Sequence, residues 1–247
     1  MLVTRAAVVL VAGIGSRLRP LTDDRPKALM DVGGETILGR ALRLLEAHGV
    51  RRVVLASGYR EDAVRAAVRG TALEVVFCRN PAFDSTQNSV SLWHCREALS
   101  GVEAFFKLDG DVVFADGLLA RLDACAAPLA VAVDGRRGLD AEAMKVRVGR
   151  GRRIEAFGKG LPVASAAGES IGIERLRGPA GAALFAGLHA AIEDRDRRDL
   201  YYEDVYSELI GEGRLQAEAV DVSDLPWTEV DTLEDLRFAR ELLARQG

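Results

Sequence analysis

Residues 6–12 read AAVVLVA, an apolar run with no polar alternation. A strand exposed on one face alternates, so this pattern belongs to a strand buried on both faces, the kind found at the centre of a parallel sheet. Parallel neighbours need crossover connections, and the sequence that follows supplies them. Thr36 stands as a helix cap ahead of Ile37, Leu38, Ala41, Leu42, Leu44 and Leu45, whose spacing is helical, and Gly49 ends that helix. Strand patterns follow at 51–56 (RRVVLA) and 73–78 (LEVVFC), with a helical segment at 60–70 between them. This alternation implies right-handed crossovers and an α/β fold: a Rossmann-like, doubly wound sheet that is mixed but mainly parallel. Ligands of such sheets lie beyond the carboxyl ends of the strands.

Helical patterns recur at 89–99, 119–127, 182–195, 202–213 and 233–245, and strand patterns at 105–108, 129–134 and 217–222. Across residues 144–173 the texture changes to the short pieces KVRV, RIEAFGK and SIGIE, broken by glycines. These predict antiparallel strands forming a flap or small subsheet, an insertion spanning roughly residues 140–175. With no internal repeat and no low-complexity linker, residues 1–247 are expected to form a single domain.

The first strand runs directly into GIGSRLRPLTDDRPK, residues 13–27. The formal net charge of −4 excludes a general nucleic-acid or membrane-surface binder, so any anion must be caught locally. The third glycine of a dinucleotide fingerprint is missing here, and so is the G-K-[ST] of a P-loop. Gly13 and Gly15 let backbone N–H groups approach a triphosphate, while Arg17 and Lys27 bring fixed positive charge to its oxygens. Pro20 and Pro26 stiffen the segment. The alternative at this point is a solvated basic turn.

The stretch VAGIGSRLRPLTDDRPK resembles the signature A-A-G-x-G-[ST]-R-[LM]-x-P-L-T-x-x-x-P-K of the nucleotidylyltransferase superfamily, which makes nucleoside-diphosphate sugars and related activated alcohols. It departs only where Val11 replaces the first alanine. LDGDVVF is similar to the family's G-D-[VN] metal motif, and WTEVDTLEDL to its late E-[IV]-D-[ST]-x-x-D-[LY] motif. Thr36 stands where the family usually has proline.

The resemblance implies attack by an acceptor phosphate oxygen on the α-phosphorus of a nucleoside triphosphate, with Mg²⁺ as cofactor. Arg17 and Lys27 then become the catalytic cations, and Asp111 and Asp231 the metal ligands. Asp109 is the near rival of Asp111, and Asp231 has the alternative of capping the last helix. Nucleotide binding is expected from Ala12, Gly13, Gly15 and Ser16, from Gly58 and Tyr59, and from Gln87, Asn88 and Ser89. On the flap, Lys159 resembles the family lysine that contacts the acceptor phosphate, with a solvent-facing lysine as the alternative.

The Asn88-Ser-Val-Ser-Leu helix start and the run DLYYEDVYSELI are similar to the phosphocholine cytidylyltransferase-like subfamily. The expected reaction is therefore transfer of CMP from CTP to a phosphorylated small alcohol or phosphonate such as phosphocholine. Tyr201, Tyr202 and Trp227 are expected to supply an aromatic cage for a quaternary ammonium, with Glu203 or Asp204 adding negative charge. Glu169 and Ser170 are candidates for an amine or hydroxyl. A sugar-1-phosphate or inositol-phosphate nucleotidylyltransferase using UTP, GTP or CTP is the alternative, and a non-catalytic nucleotide-sensing subunit the alternative of another class. His48, His94 and His189 lack ligand spacing and read as structural. Cys78, Cys95 and Cys125 show neither a disulfide framework nor a zinc pattern and suit a reducing cytoplasm. No apolar run is long enough to span a membrane, and a homodimer is left open by the chain's size.

Overall fold

The computed structural model describes residues 4–136 and 138–245. The chain starts with strand β1 (Ala6–Leu10), followed by a loop carrying two short 3-10 turns, Ser16–Leu18 and Lys27–Leu29. Next come α1 (Ile37–His48), β2 (Arg52–Ser57), α2 (Glu61–Ala67), β3 (Glu74–Arg79) and α3 (Asn88–Trp93). They are followed by β4 (Ala104–Asp109), β5 (Val112–Phe114), α4 (Leu118–Ala124) and β6 (Leu129–Asp134). The hairpin β7 (Lys145–Val148) and β8 (Ile154–Gly158) precedes the long strand β9 (Gly168–Arg177). The chain then forms α5 (Pro179–His189), α6 (Tyr202–Gly211), β10 (Ala217–Asp221), β11 (Trp227–Glu229) and α7 (Leu233–Ala244).

The main sheet has the order β10-β6-β9-β4-β1-β2-β3, with β1 in parallel register between β2 and β4. β1 is central because both its faces are apolar. Ala7 and Val9 pack into one core layer with Leu38, Leu42 and Leu45 of α1, while Ala6 and Val8 pack into the other with α3, α5 and α6. Thr36 caps α1 as expected, its hydroxyl accepting from Gly39 N–H at 2.9 Å. Among the described residues, no helix is long and apolar enough to cross a membrane.

One expectation is corrected. Residues 170–174, expected in the flap, lie in β9, which inserts antiparallel between β4 and β6 in the main sheet. Only Gly168 and Glu169 of that strand pair with β7. The cause is burial: Ile171 and Ile173 enter one core layer and Leu176 the other, as a strand covered on both faces requires. The flap is thus the β7–β8 hairpin.

A third apolar cluster positions the site. Leu18, from the first 3-10 turn, is fully buried with Val113 of β5, Val230 and Leu236. It clamps the basic loop against a two-stranded antiparallel ribbon, β5 with β11, and against α7.

Candidate active site

The loop after β1 is held in shape by its own contacts. Gly15 has φ +68, in the left-handed region, and a Cβ there would lie 2.7 Å from Cβ of Lys27, so a glycine is needed on both counts. The buried Thr22 hydroxyl donates to Gly15 O at 2.9 Å. Tyr59 donates its phenol to Thr22 O and Asp23 O, at 3.0 and 2.7 Å, pinning the far side of the loop. The result brings Arg17 and Lys27, ten positions apart in sequence, onto one carboxylate. Arg17 Nη1 is 3.2 Å from Asp231 Oδ2, and Lys27 Nζ is 2.5 Å from Asp231 Oδ1 and 2.7 Å from Asp111 Oδ2.

The β5–β11 ribbon aligns the two aspartates. Asp111 sits in the turn between β4 and β5, and its carbonyl accepts from Val230 N–H at 3.0 Å, which sets Asp231 beside it. The helix-capping alternative for Asp231 goes instead to Thr232, whose hydroxyl accepts from Asp235 N–H while the Asp235 carboxylate accepts from Thr232 N–H at 2.8 Å. Glu229 completes the cluster: one carboxylate oxygen from each of Asp111, Glu229 and Asp231 lies within 4.8 Å of the others. Burial opposes the charge on Lys27, but Asp111 and Asp231 outweigh it and hold its pKa above the ordinary lysine value. Desolvation within the crowded carboxylate cluster, reinforced by the charges of Asp111 and Asp231, raises the pKa of Glu229 even though its side chain stays exposed to solvent.

Asp109, the expected rival ligand, lines the same cavity but is engaged by other partners and lies outside the three-carboxylate cluster. Its Oδ1 is 2.9 Å from the fully buried Nζ of Lys107, and its Oδ2 accepts from the Tyr202 hydroxyl at 3.0 Å. Gly172, with φ +73, leaves room for this carboxylate, since a Cβ at that position would lie 2.3 Å from Asp109 Oδ2. Lys107 also pairs with Glu174 at 3.3 Å and lies 3.4 Å from the centre of the Tyr202 ring. The third carboxylate of the candidate metal cluster is therefore Glu229 rather than Asp109. Glu229 and Asp231 are two apart along the chain and so share a face, a signal legible in the string EVD.

These groups line one end of a cavity of about 630 Å³ at the carboxyl end of β1 and β4. Ala12, Gly13, Gly15 and Ser16 form its wall beside Arg17 and Lys27, and Gln87 and Asn88 approach it from the start of α3. Gly58, Tyr59 and Ser89 do not line it. Tyr59 supports the loop from behind, and Ser89 is buried with its hydroxyl unpartnered. At the other end stand Glu142 and Lys159, paired at 3.2 Å, with Glu169, Ser170, Tyr201 and Glu203.

The expected aromatic cage does not form. Tyr202 is fully buried in the core over Lys107, and Trp227 packs in the opposite layer, donating its indole N–H to Asp134 Oδ2 at 2.8 Å. Both polar tips are satisfied internally, so both rings turn inward. Tyr201 alone of the three faces the cavity, with Lys159 Nζ 5.0 Å from its ring centre. Asp204 caps α6, accepting from Tyr201 N–H at 2.9 Å. His48 pairs with the buried Asp123 at 2.9 Å, away from the cavity lining, and the three cysteines are free thiols.

The profile of the MobA-like NTP transferase domain family matches residues 7–205. The chain is 34% identical over 253 residues to the CMP-5'-(3-aminopropyl)phosphonate synthase of Streptomyces rubellomurinus, covering 94% of this chain and 38% of that protein. It is 32% identical over 240 residues to the bifunctional IPC transferase and DIPP synthase of Rubrobacter xylanophilus, covering 96% of this chain and 51% of the relative. This chain thus spans about two fifths and about half the length of these curated relatives. Its fold is similar to the inositol-1-phosphate CTP transferase from T. maritima, with a TM-score of 0.80 at 24% identity, covering 98% of this chain and 96% of that one.

Proposed function

We propose that this chain, which belongs to the MobA-like NTP transferase domain family, transfers a nucleotidyl group, CMP from CTP, to a small phosphorylated or phosphonate acceptor and releases pyrophosphate. The observation that carries this reading is the convergence of Arg17 and Lys27 on Asp111 and Asp231 beside the backbone of the strand-end loop. An oxygen of the acceptor forms a bond to the α-phosphorus. The bond between that phosphorus and the bridging oxygen to the β-phosphorus breaks, and pyrophosphate leaves with the electron pair. The attacking oxygen is already an anion, so the step moves no proton and needs no general base. The obstacle is bringing like charges together, and fixed cations lower it.

Lys27 stays protonated because its two carboxylate neighbours hold it so, which makes it a constant charge rather than an acid. Arg17, whose side chain is 60% exposed, is free to exchange Asp231 for a phosphate oxygen. Asp111, Glu229 and Asp231 form an all-oxygen donor set that suits a hard divalent ion, and these three residues would hold Mg²⁺. Bound there, Mg²⁺ supplies further neutralisation of the phosphates. Asn88 uses its carbonyl to accept from Tyr202 N–H at 3.0 Å, which leaves its amide N–H groups and the Gln87 side chain to pair with a pyrimidine edge.

Preference for CTP is supported by the names of the relatives, a CMP-phosphonate synthase and an inositol-1-phosphate CTP transferase. The second of these names favours an inositol-phosphate acceptor as the competing reading. The test combines the purified protein, Mg²⁺ and each of four nucleoside triphosphates with aminoalkyl phosphonates, phosphoethanolamine, phosphocholine, inositol phosphate and hexose 1-phosphates, scored by pyrophosphate release. CTP should give the highest turnover. Turnover confined to UTP or GTP with a sugar phosphate would refute the cytidylyl assignment, and tight CTP binding without turnover on any acceptor would leave a nucleotide sensor.

A further inference from the structure

We propose that Phe83 is the platform on which the base of the nucleotide stacks, a contact that sets affinity for the nucleoside without choosing between bases; this rests on the transfer reading above. Among the described residues lining the cavity two carry aromatic rings, Tyr201 beside the flap's Lys159 and Phe83 beside the loop that leaves β1. Phe83 belongs to none of the three apolar clusters that make the core, and its side chain is only half-buried. A large apolar ring outside the core and on the wall of a cavity is accounted for by a partner that arrives through that cavity.

The chain makes room for this ring and then fixes it. A Cβ on Gly58 would lie 2.6 Å from Phe83 Cβ, 2.7 Å from its Cγ and 2.9 Å from Ala12 O, so only a glycine lets Phe83 settle against Ala12. The loop that carries Phe83 closes around Asn80, which is fully buried. Asn80 Nδ2 donates to the hydroxyls of Thr86 and Ser91, both at 3.0 Å, and its Oδ1 accepts from Ala82 N–H at 3.0 Å. The Thr86 hydroxyl donates in turn to Ala82 O at 2.8 Å. Phe83 also meets the ring of Tyr59, 6.2 Å between centres, and the Tyr59 phenol pins the basic loop. The ring is thus ordered before a ligand arrives, which lowers the entropic cost of binding.

Its position selects the base rather than the acceptor. The loop that carries Phe83 also brings Thr86 and Gln87 to the cavity, and from Ala12 the chain runs on through Gly13 to Arg17 and Lys27. A nucleoside triphosphate has its parts in the same order: a flat base with polar edges at one end and phosphates at the other. Phe83 offers a surface for the flat face, and Gln87 an amide for an edge. Every base has a π-face, so stacking tolerates any of them and leaves the choice to edge contacts.

Calorimetric titration of the protein in Mg²⁺ with CTP, UTP, ribose 5-triphosphate and inorganic tripolyphosphate tests this. Phe83→Ala should weaken CTP about tenfold or more, the scale of aromatic–base stacking, and UTP by a like factor. Ribose 5-triphosphate and tripolyphosphate, which have no base, should bind the variant within about twofold of wild type, because their contacts lie elsewhere. Phe83→Leu, apolar but without a π-face, should lose CTP affinity as Phe83→Ala does, and Phe83→Trp should keep it. In Phe83→Trp the added fluorescence should be quenched by CTP and not by tripolyphosphate, a reading that decides the matter even if Phe83→Ala fails to fold. Equal weakening of CTP and tripolyphosphate, wild-type CTP affinity in Phe83→Leu, a loss not shared by UTP, or no quenching in Phe83→Trp overturns the assignment. Pyrophosphate release is measured separately: a base-dependent loss in Phe83→Ala with no acceptor consumed by wild type fails the transfer reading alone, whereas turnover whose KM for CTP is unchanged in Phe83→Ala fails this platform alone.

Discussion

Lys27 meets Asp111 at 2.7 Å and Asp231 at 2.5 Å, a point charge shared by two carboxylates. A guanidinium is planar and larger, so Lys27→Arg should not restore what Lys27→Ala removes. Lys27→Ala and Asp111→Ala should each lower kcat by about a hundredfold or more, measured as pyrophosphate release at saturating substrates. Glu229→Gln removes one charged oxygen donor from the cluster, and the Mg²⁺ concentration for half-maximal rate should rise about tenfold, since affinity for such ions follows ligand charge. An unchanged metal requirement would take Glu229 out of the cluster. At this scale legibility depended on locality. Arg17 and Lys27 lie within one uninterrupted stretch whose residue types already specify an anion site. Tyr202 and Trp227 do not form the expected cage, and sequence cannot show this because an aromatic residue serves a core and a cage equally well. What decides is the partner of its polar tip, here Asp109 and Asp134, each 93 positions away in the chain.

Among elements, the loop after β1 depends on Leu18, which is fully buried among residues of β5, α7 and the segment between them and β11. Leu18→Ala should cost about 2–5 kcal/mol of stability by chemical denaturation and raise the KM for nucleotide, because the loop that carries Arg17 loses its anchor. In α6, the pKa of Glu203 rises from an ordinary 4.5 to about 8 on folding. Between those values the folded chain keeps a proton that the unfolded chain has lost, so this group's contribution to stability is present below about pH 4.5 and declines as pH rises towards 8. The Tm of Glu203→Gln relative to wild type should therefore climb from pH 5 to pH 8, and a difference constant across that range would contradict the buried-carboxyl account. The parallel half of the sheet was readable because uninterrupted apolar runs have one structural solution. β9 was not, because Gly168 and Gly172 break its pattern; Gly172 is there to admit the Asp109 carboxylate, a constraint imposed by a different strand.

Across the molecule, the two parts of the cavity, proposed to take the nucleotide and the acceptor, differ in how the chain builds them. The first uses one loop and one ribbon, so its chemistry was present in contiguous motifs. The second joins the flap's Lys159, Ser170 of β9 and Glu203 of α6, brought together only when β9 inserts between β4 and β6. No short string encodes such a meeting, which is why the acceptor was the least legible part of the function. The electrostatics follow the same division. Cations gather where a triphosphate would lie, and carboxylates, Glu142, Glu169 and Glu203 against Lys159, where the acceptor would end. In a chain of net charge −4, anion capture rests on placement rather than on overall attraction. Its rate should accordingly depend weakly on ionic strength compared with a basic protein, measurable as kcat/KM for CTP between low and physiological salt.

The central claim is transfer at the α-phosphorus. Its most direct test is a ³¹P spectrum of the reaction of the protein with Mg²⁺, CTP and 2-aminoethylphosphonate whose phosphonate oxygens carry ¹⁸O. The account predicts a CMP–phosphonate conjugate with ¹⁸O bridging its two phosphorus atoms, together with unlabelled pyrophosphate. Formation of CDP, or ¹⁸O in the released pyrophosphate, would contradict it.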